Sequence, residues 1–389
     1  MSLTIFLFDV DGVLIDPRGY KEALIATVDR LARQMGQAGM APTDEDIAVF
    51  EACGVTSEWD SAPMCVGMVL AAALSGHPEL ARPTVEATFE ALREAGVGIE
   101  RPDYQTLARR VAAETPDVEQ PTLTILRLLK DGMDATHHPL LNAFLPKVWT
   151  LESLTTRVFQ HYSLGSERYS ATTGQAADFE SLSTLLEHDK PVLTAAHKAG
   201  LTDAFDEGAI RYAIYTARPS LPPADLPPDT PIPNSLLYPP EADLAAEQID
   251  LAHAPLIAGG RVGWLAATRG KDPAAYLKPS PVQALAAIRA AVTGEEAASL
   301  TAAADLAEDR TRVAAFQGMA DRPWRVVVFE DSAGGILATR RAVDLLTDVG
   351  LPVSFEAVGV ATQASKRAAL GEMTDRVVGD INEGLEGFL

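Results

Sequence analysis

The sequence predicts an α/β protein: a doubly wound parallel sheet with a large, mostly helical domain inserted after the first strand. Three observations carry that expectation. A β-prone apolar run opens the chain at Thr4-Ile5-Phe6-Leu7-Phe8, and its counterparts lie far downstream at 212–215, 325–329 and 355–360. The stretch from about 20 to 210 is dominated by Ala, Leu and charged residues at helical spacing. Beyond it, strands alternate with helical patterns, an order that right-handed crossovers turn into a parallel sheet covered on both faces.

The opening run is continuous rather than alternating, which suits a strand buried on both faces. It has no basic leader or small-residue cleavage site and runs straight into acidic residues, so a strand is expected there rather than a signal peptide. Within the insertion, Thr43-Asp44-Glu45-Asp46-Ile47 reads as a helix start. The 219–240 segment is densely proline-rich, and such a segment neither continues a helix nor enters a central strand. An ordered surface loop is expected there. Helices are expected at 281–292, 295–316 and 334–349, and there is no internal repeat or low-complexity tail.

Composition narrows the function classes. At 389 residues, with 47% hydrophobic residues, the chain exceeds a typical single domain and has apolar material for real cores. Lys plus Arg number 32 against 54 for Asp plus Glu, a net charge of −22. Such a surface repels nucleic acid and anionic membranes, so an anionic ligand needs a local positive site. Cys53 and Cys65 are too few for a disulfide framework and lack zinc-ligand spacing, so reduced thiols are expected. The longest apolar run, 64–74, falls short of the ~20 residues of a membrane span. A soluble, cytoplasmic protein is expected; oligomeric state has no sequence signal.

The most informative segment is Asp9-Val10-Asp11-Gly12-Val13-Leu14-Ile15-Asp16. Two carboxylates follow the C-terminal end of a buried strand, the edge at which open α/β sheets bind ligands. Residues two apart in extended chain face the same way, so Asp9 and Asp11 can converge on one centre, and Gly12 lets the backbone turn. With further acids they suit magnesium, a hard ion that takes oxygen ligands. Asp9 would attack phosphorus, while Asp11 would protonate the departing alkoxide and later deprotonate water. A pair of acidic residues capping a turn has the same local pattern.

Other strand ends offer what this chemistry lacks. Thr216 follows the second strand, where its hydroxyl and the next backbone N–H, that of Ala217, suit a phosphate oxygen. Lys278 stands in Tyr276-Leu277-Lys278-Pro279-Ser280-Pro281, before prolines that start a helix at about Pro281. Its charge suits both a phosphate and Asp9. Glu330-Asp331-Ser332, followed by Gly334-Gly335, again places acids at a strand end, suited to completing a magnesium shell.

Taken in order, these residues resemble the four motifs of the haloacid dehalogenase superfamily, of the subfamily I type with an enlarged helical cap. Asp9 and Asp11 match the first motif, Thr216 the second, Lys278 the third, and Glu330 with Asp331 the fourth. The resemblance covers 3–16 and much of 211–389, where Asp375-Arg376-Val377-Val378 also looks like the family's last short strand. It implies a Rossmann-like core at 1–17 and 206–389 and a cap at 18–205. It also implies Asp9 as nucleophile and metal ligand. Asp11 becomes the acid/base and binds the metal through its backbone carbonyl, with Asp331 and Glu330 as further metal carboxylates. Thr216, Ala217 and Lys278 become the phosphoryl-binding groups. The second Asp argues against the dehalogenating branch, which needs no acid for a halide.

Within the insertion, 53–60 reads as a polar, aromatic-bearing loop and resembles a phosphatase-like subgroup with Gly, Trp and Asp in this region. Trp59 and Asp60 are candidate substrate contacts; packing for Trp59 and helix capping for Asp60 are the alternatives. Arg168, in Tyr162-Ser163-Leu164-Gly165-Ser166-Glu167-Arg168, is a candidate for a second anionic group. His137-His138 reads as a loop without a metal. The function expected is Mg2+-dependent hydrolysis of a small phosphorylated metabolite, with a phosphomutase and a catalytically inactive binding protein as alternatives.

Overall fold

The computed structural model describes residues 2–116, 121–145, 147–233, 238–251, 253–318 and 322–389. Its strands are β1 (Leu3–Phe8), β2 (Ile15–Asp16), β3 (Lys190–Pro191), β4 (Ile210–Tyr215), β5 (Leu256–Ile257), β6 (Trp324–Glu330), β7 (Val353–Val360) and β8 (Val377–Val378). Six of them form one sheet in the order β5-β4-β1-β6-β7-β8, every pairing parallel. β1 lies centrally, with Phe8 opposite Ile214 on one side and Phe329 on the other.

The continuous apolar run of β1 divides between the two faces. Ile5 and Leu7 join Val326, Val328 and the apolar sides of helices Pro281–Thr293 and Ala333–Asp348. Phe6 and Phe8 pack with Tyr212 and Phe329 on the opposite face, where helices Ala195–Asp206 and Glu241–Ile249 contribute Leu201, Ala245 and Ile249. Each fully buried side chain of this kind contributes roughly 1.5–3 kcal/mol. The core is thus a Rossmann-like, doubly wound sheet. From β4 the order runs outward to β5, and from β6 to β7 and β8, so the order reverses beside β1, where such sheets place ligands.

The chain divides into two units, Met1–Pro17 with Asp189–Leu389, and Arg18–His188. The return to the sheet unit comes at Asp189, not at 206. Helix Ala195–Asp206 belongs to the sheet, burying Leu201 against it, although its Ala-rich sequence matches the helices before it. β2 and β3 pair antiparallel, Ile15 opposite Pro191 and Asp16 opposite Lys190, where the chain leaves and re-enters this unit.

The 295–316 pattern is not one helix. It breaks after Glu296–Glu308, where Asp309 accepts bonds from the Thr311 N–H (3.0 Å) and hydroxyl (2.7 Å), a local turn that competes with helix. Described residues of 219–240 form no helix or strand; 234–237 lie outside the described residues. This loop is pinned by buried charge: Glu296 accepts from the Ala224 N–H (3.0 Å) and from Arg261 Nε (2.8 Å).

Every element of the second unit among its described residues is a helix. Helix Asp44–Ala52 starts where the sequence predicts a helix start, and Thr43 and Asp46 close a capping box on it. At its centre, helix Glu58–Gly76 is buried on nearly every side, which accounts for the 64–74 apolar run. No described helix is long and apolar enough to cross a membrane. His137 and His138 lie in short helical turns rather than a loop. Cys65 is buried and Cys53 half-buried, both free thiols.

Candidate active site

The segment after β1 folds back on itself. The Val10 carbonyl accepts from the N–H groups of Val13 (3.3 Å), Leu14 (3.0 Å) and Ile15 (2.9 Å), and Gly12 N–H donates to the Ile15 carbonyl (2.8 Å). Val10, Val13 and Leu14 are fully buried and anchor the turn. Gly12 is required twice over: its φ is +73°, and a Cβ there would lie 2.5 Å from Asp331 Oδ2. The missing side chain leaves room for the Asp331 carboxylate against the turn.

Asp9, at the end of β1, is 6% exposed, and one carboxylate oxygen each from Asp9, Glu330 and Asp331 lie within 4.8 Å of one another. Lys278 joins the first two: its Nζ donates to Asp9 Oδ1 (2.9 Å), Glu330 Oε2 (2.8 Å) and the Tyr215 carbonyl (3.1 Å), and lies 3.9 Å above the Tyr215 ring. Ser332 donates to Glu330 (2.8 Å) and caps helix Ala333–Asp348. A Cβ at Gly335 would collide with the Glu330 carboxylate, so glycine is required for the helix start to close over it.

Electrostatics follow from this crowding. Burial, then the neighbouring Asp9 charge, raises the pKa of Glu330, with Lys278 opposing. Burial and Asp9 likewise raise Asp331, opposed by an ion pair with Lys366. Burial alone would lower Lys278, but the Asp9 and Glu330 carboxylates outweigh it and hold the ammonium charged.

Asp11 is held by a different cation. Its carboxylate lies outside the three-acid cluster and is held by Arg218, whose Nε lies 2.9 Å from both Asp11 oxygens. Arg218 Nη1 donates to the buried Asp189 (3.0 Å). With every carboxyl ionised, Asp9, Asp11, Asp189, Glu330 and Asp331 outnumber Arg218, Lys278 and Lys366 by two negative charges, an excess that the raised Glu330 and Asp331 carry only when a cation offsets it. Oxygen-only donors with that excess fit a hard divalent cation.

Thr216 is buried after β4. Its N–H donates to the Ile257 carbonyl (3.2 Å), its carbonyl accepts from Gln283 (2.7 Å), and its hydroxyl accepts from the Arg218 N–H (3.2 Å). Ala217 is exposed beside it.

The candidates in the insertion belong to the helical unit. Ser57, not Asp60, caps helix Glu58–Gly76, so Trp59 and Asp60 occupy its first turn rather than a loop. Trp59 is buried, stacked on Trp149 with centroids 5.1 Å apart and tilted against Phe159. Buried Asp60 accepts a bond from the Thr122 hydroxyl. Arg168 is exposed on helix Ser166–Thr173. The residues that sequence reasoning missed are Arg218, Asp189, Lys366 and Ser332. Arg218 carried a signal, lying two residues beyond Thr216 at the same strand end; Asp189 carried none.

No protein-family model and no curated protein matches the sequence. Among solved structures, a Northeast Structural Genomics Consortium target, determined by X-ray crystallography, aligns with a TM-score of 0.61 at 15% identity. The alignment covers 99% of this chain and 98% of that one, and the likeness is one of fold. Phosphatase Tt82 from Thermococcus thioreducens aligns with a TM-score of 0.45 at 17% identity, over 91% and 92%.

Proposed function

We propose that this chain is a magnesium-dependent phosphatase that hydrolyses a small phosphorylated metabolite through an aspartyl phosphate on Asp9. One observation carries the reading: the Asp9 carboxylate sits at the end of the central strand, 2.9 Å from Lys278 Nζ and close enough to Glu330 and Asp331 to share a cation with them. The ordered resemblance to haloacid dehalogenase motifs supports it.

Asp9 attacks phosphorus and the bond to the ester oxygen breaks, with Asp11 giving its proton to the departing alkoxide. Water then attacks the phosphoryl group, Asp11 takes a proton from it, and the phosphorus bond to Asp9 breaks to release inorganic phosphate. Lys278 offsets charge on Asp9 and on the phosphoryl oxygens, while the Thr216 hydroxyl and Ala217 N–H receive one of those oxygens. Asp9, Glu330, Asp331 and the Asp11 carbonyl would hold magnesium, which when bound neutralises and orients the phosphoryl group.

The test is a screen of sugar phosphates, phosphoglycolate, nucleotides and amino-alcohol phosphates with and without magnesium. Turnover of at least one is expected, lost on chelation and restored by magnesium. Asp9→Asn is expected to lower it by at least about a thousandfold. Full activity in Asp9→Asn contradicts the mechanism.

A further inference from the structure

The loop that carries Thr216 also carries Arg218, a cation with no part in the four-motif pattern. We infer that Arg218, itself held by Asp189, is a positioning residue that fixes the Asp11 carboxyl for its work on the leaving group. The role of Asp11 rests on the proposed phosphatase reading; the geometry of the three side chains does not.

The Arg218 side chain is 2% exposed and that of Asp189 fully buried, whereas Asp11 is 34% exposed. Left to itself, an aspartate that open, on a turn, samples several rotamers. A guanidinium is a rigid planar fork, so binding one edge orients the other. Here Nη1 is taken by Asp189, and the Nε edge meets both oxygens of Asp11. The Arg218 backbone is fixed as well: its N–H donates to Thr216 Oγ1 (3.2 Å) and its carbonyl accepts from the Gly259 N–H (2.8 Å). Gly259 admits no side chain there, since a Cβ would lie 2.7 Å from the Ala217 carbonyl and 2.9 Å from that of Arg218.

The anchor also lies at a telling place in the chain. Asp189 precedes β3, which pairs with β2, the strand that follows the Asp11 turn. One guanidinium therefore spans the exit and re-entry segments of the sheet unit. It also ties the Asp11 turn to the loop proposed to bind phosphate. A lysine at 218 keeps the charge but loses the fork.

The experiment compares Arg218→Lys and Asp189→Asn with Asp11→Asn, on the alkyl phosphate turned over best in the screen and on p-nitrophenyl phosphate, whose leaving group needs no proton. Asp11→Asn is expected to lose kcat on the alkyl ester by on the order of a hundredfold, and far less on the aryl ester. Arg218→Lys and Asp189→Asn are expected to show the same bias, about tenfold or more on the alkyl ester, with KM changed less than about threefold. The double variant Asp11→Asn with Arg218→Lys should be no worse than Asp11→Asn alone. Equal losses on both esters, a change confined to KM, or wild-type activity would each overturn the inference. Crystal structures of Arg218→Lys and Asp189→Asn read the positioning directly: a displaced Asp11 carboxyl is expected, and an unmoved one overturns the inference whatever the activity. Should the wild type hydrolyse no phosphate ester, the phosphatase reading fails, while these structures still decide whether Arg218 fixes Asp11.

Discussion

The sheet unit and the helical unit each bury carboxylates that the sequence singles out, but they satisfy them differently. At the ends of β1 and β6, Asp9, Glu330 and Asp331 crowd together with charged partners, Lys278 on the first two and Lys366 on the third. In the helical unit, Asp60 takes its bond from a neutral hydroxyl, that of Thr122, and its neighbour Trp59 is spent on aromatic packing. Carboxylates held against one another by cations are arranged for a charged ligand. A single acid bonded to a hydroxyl inside a helical core contributes to packing and tends to hold its proton.

Removing the cation from the first group should give the larger effect. Lys278→Met leaves Asp9 and Glu330 buried without their shared ammonium, and a loss of about 3–5 kcal/mol in denaturant unfolding is expected. An unchanged midpoint would mean that the ion pair is dispensable.

Asp60 gives a smaller effect with the opposite sign. Burial pushes its pKa from 3.8 to about 6, with the Thr122 bond opposing. The protonated form therefore favours the folded state: the stabilisation is fully present below pH 3.8 and is lost as pH rises through about 6. Asp60→Asn keeps an acceptor for Thr122 and has no charge to bury. It should raise stability over the wild type by up to about 3 kcal/mol at pH 8 and change it little at pH 4. Equal shifts at both pH values would show that Asp60 does not titrate across this range.

Trp149→Ala is expected to have the smallest effect. Trp149 is 45% exposed and stacks on Trp59, so about 1 kcal/mol of stability should be lost while kcat/KM on the best substrate stays the same. A tenfold fall in kcat/KM without unfolding would break the contrast and make the tryptophan pair a substrate contact.

The contrast also explains which parts were legible in the sequence. β1, β4, β6 and β7 are long apolar runs and stood out; β2, β3 and β5 are two residues each, too short for periodicity to register. Asp9, Lys278, Glu330 and Asp331 were legible because each lies beside recognisable punctuation, a strand end, a proline pair or a glycine pair, and folding brings them together. The Arg218 contacts were not. Asp11 and Asp189 lie 207 and 29 residues away in sequence, and a partnership at that distance is decided by topology rather than by local pattern. The loop expected around Trp59 and Asp60 is a helix for a related reason. A polar, aromatic stretch reads as an exposed loop, until Ser57 starts a helix there and the surrounding helices bury it.

The central claim is that Asp9 carries the phosphoryl group. The direct measurement is a rapid acid quench of the wild-type enzyme during turnover of its best phosphate ester with magnesium, followed by peptide mapping. A base-labile phosphoryl adduct on the Asp9 peptide, absent in Asp9→Asn, is the expected result. Turnover with no adduct at Asp9 at any quench time, together with undiminished turnover in Asp9→Asn, would contradict it.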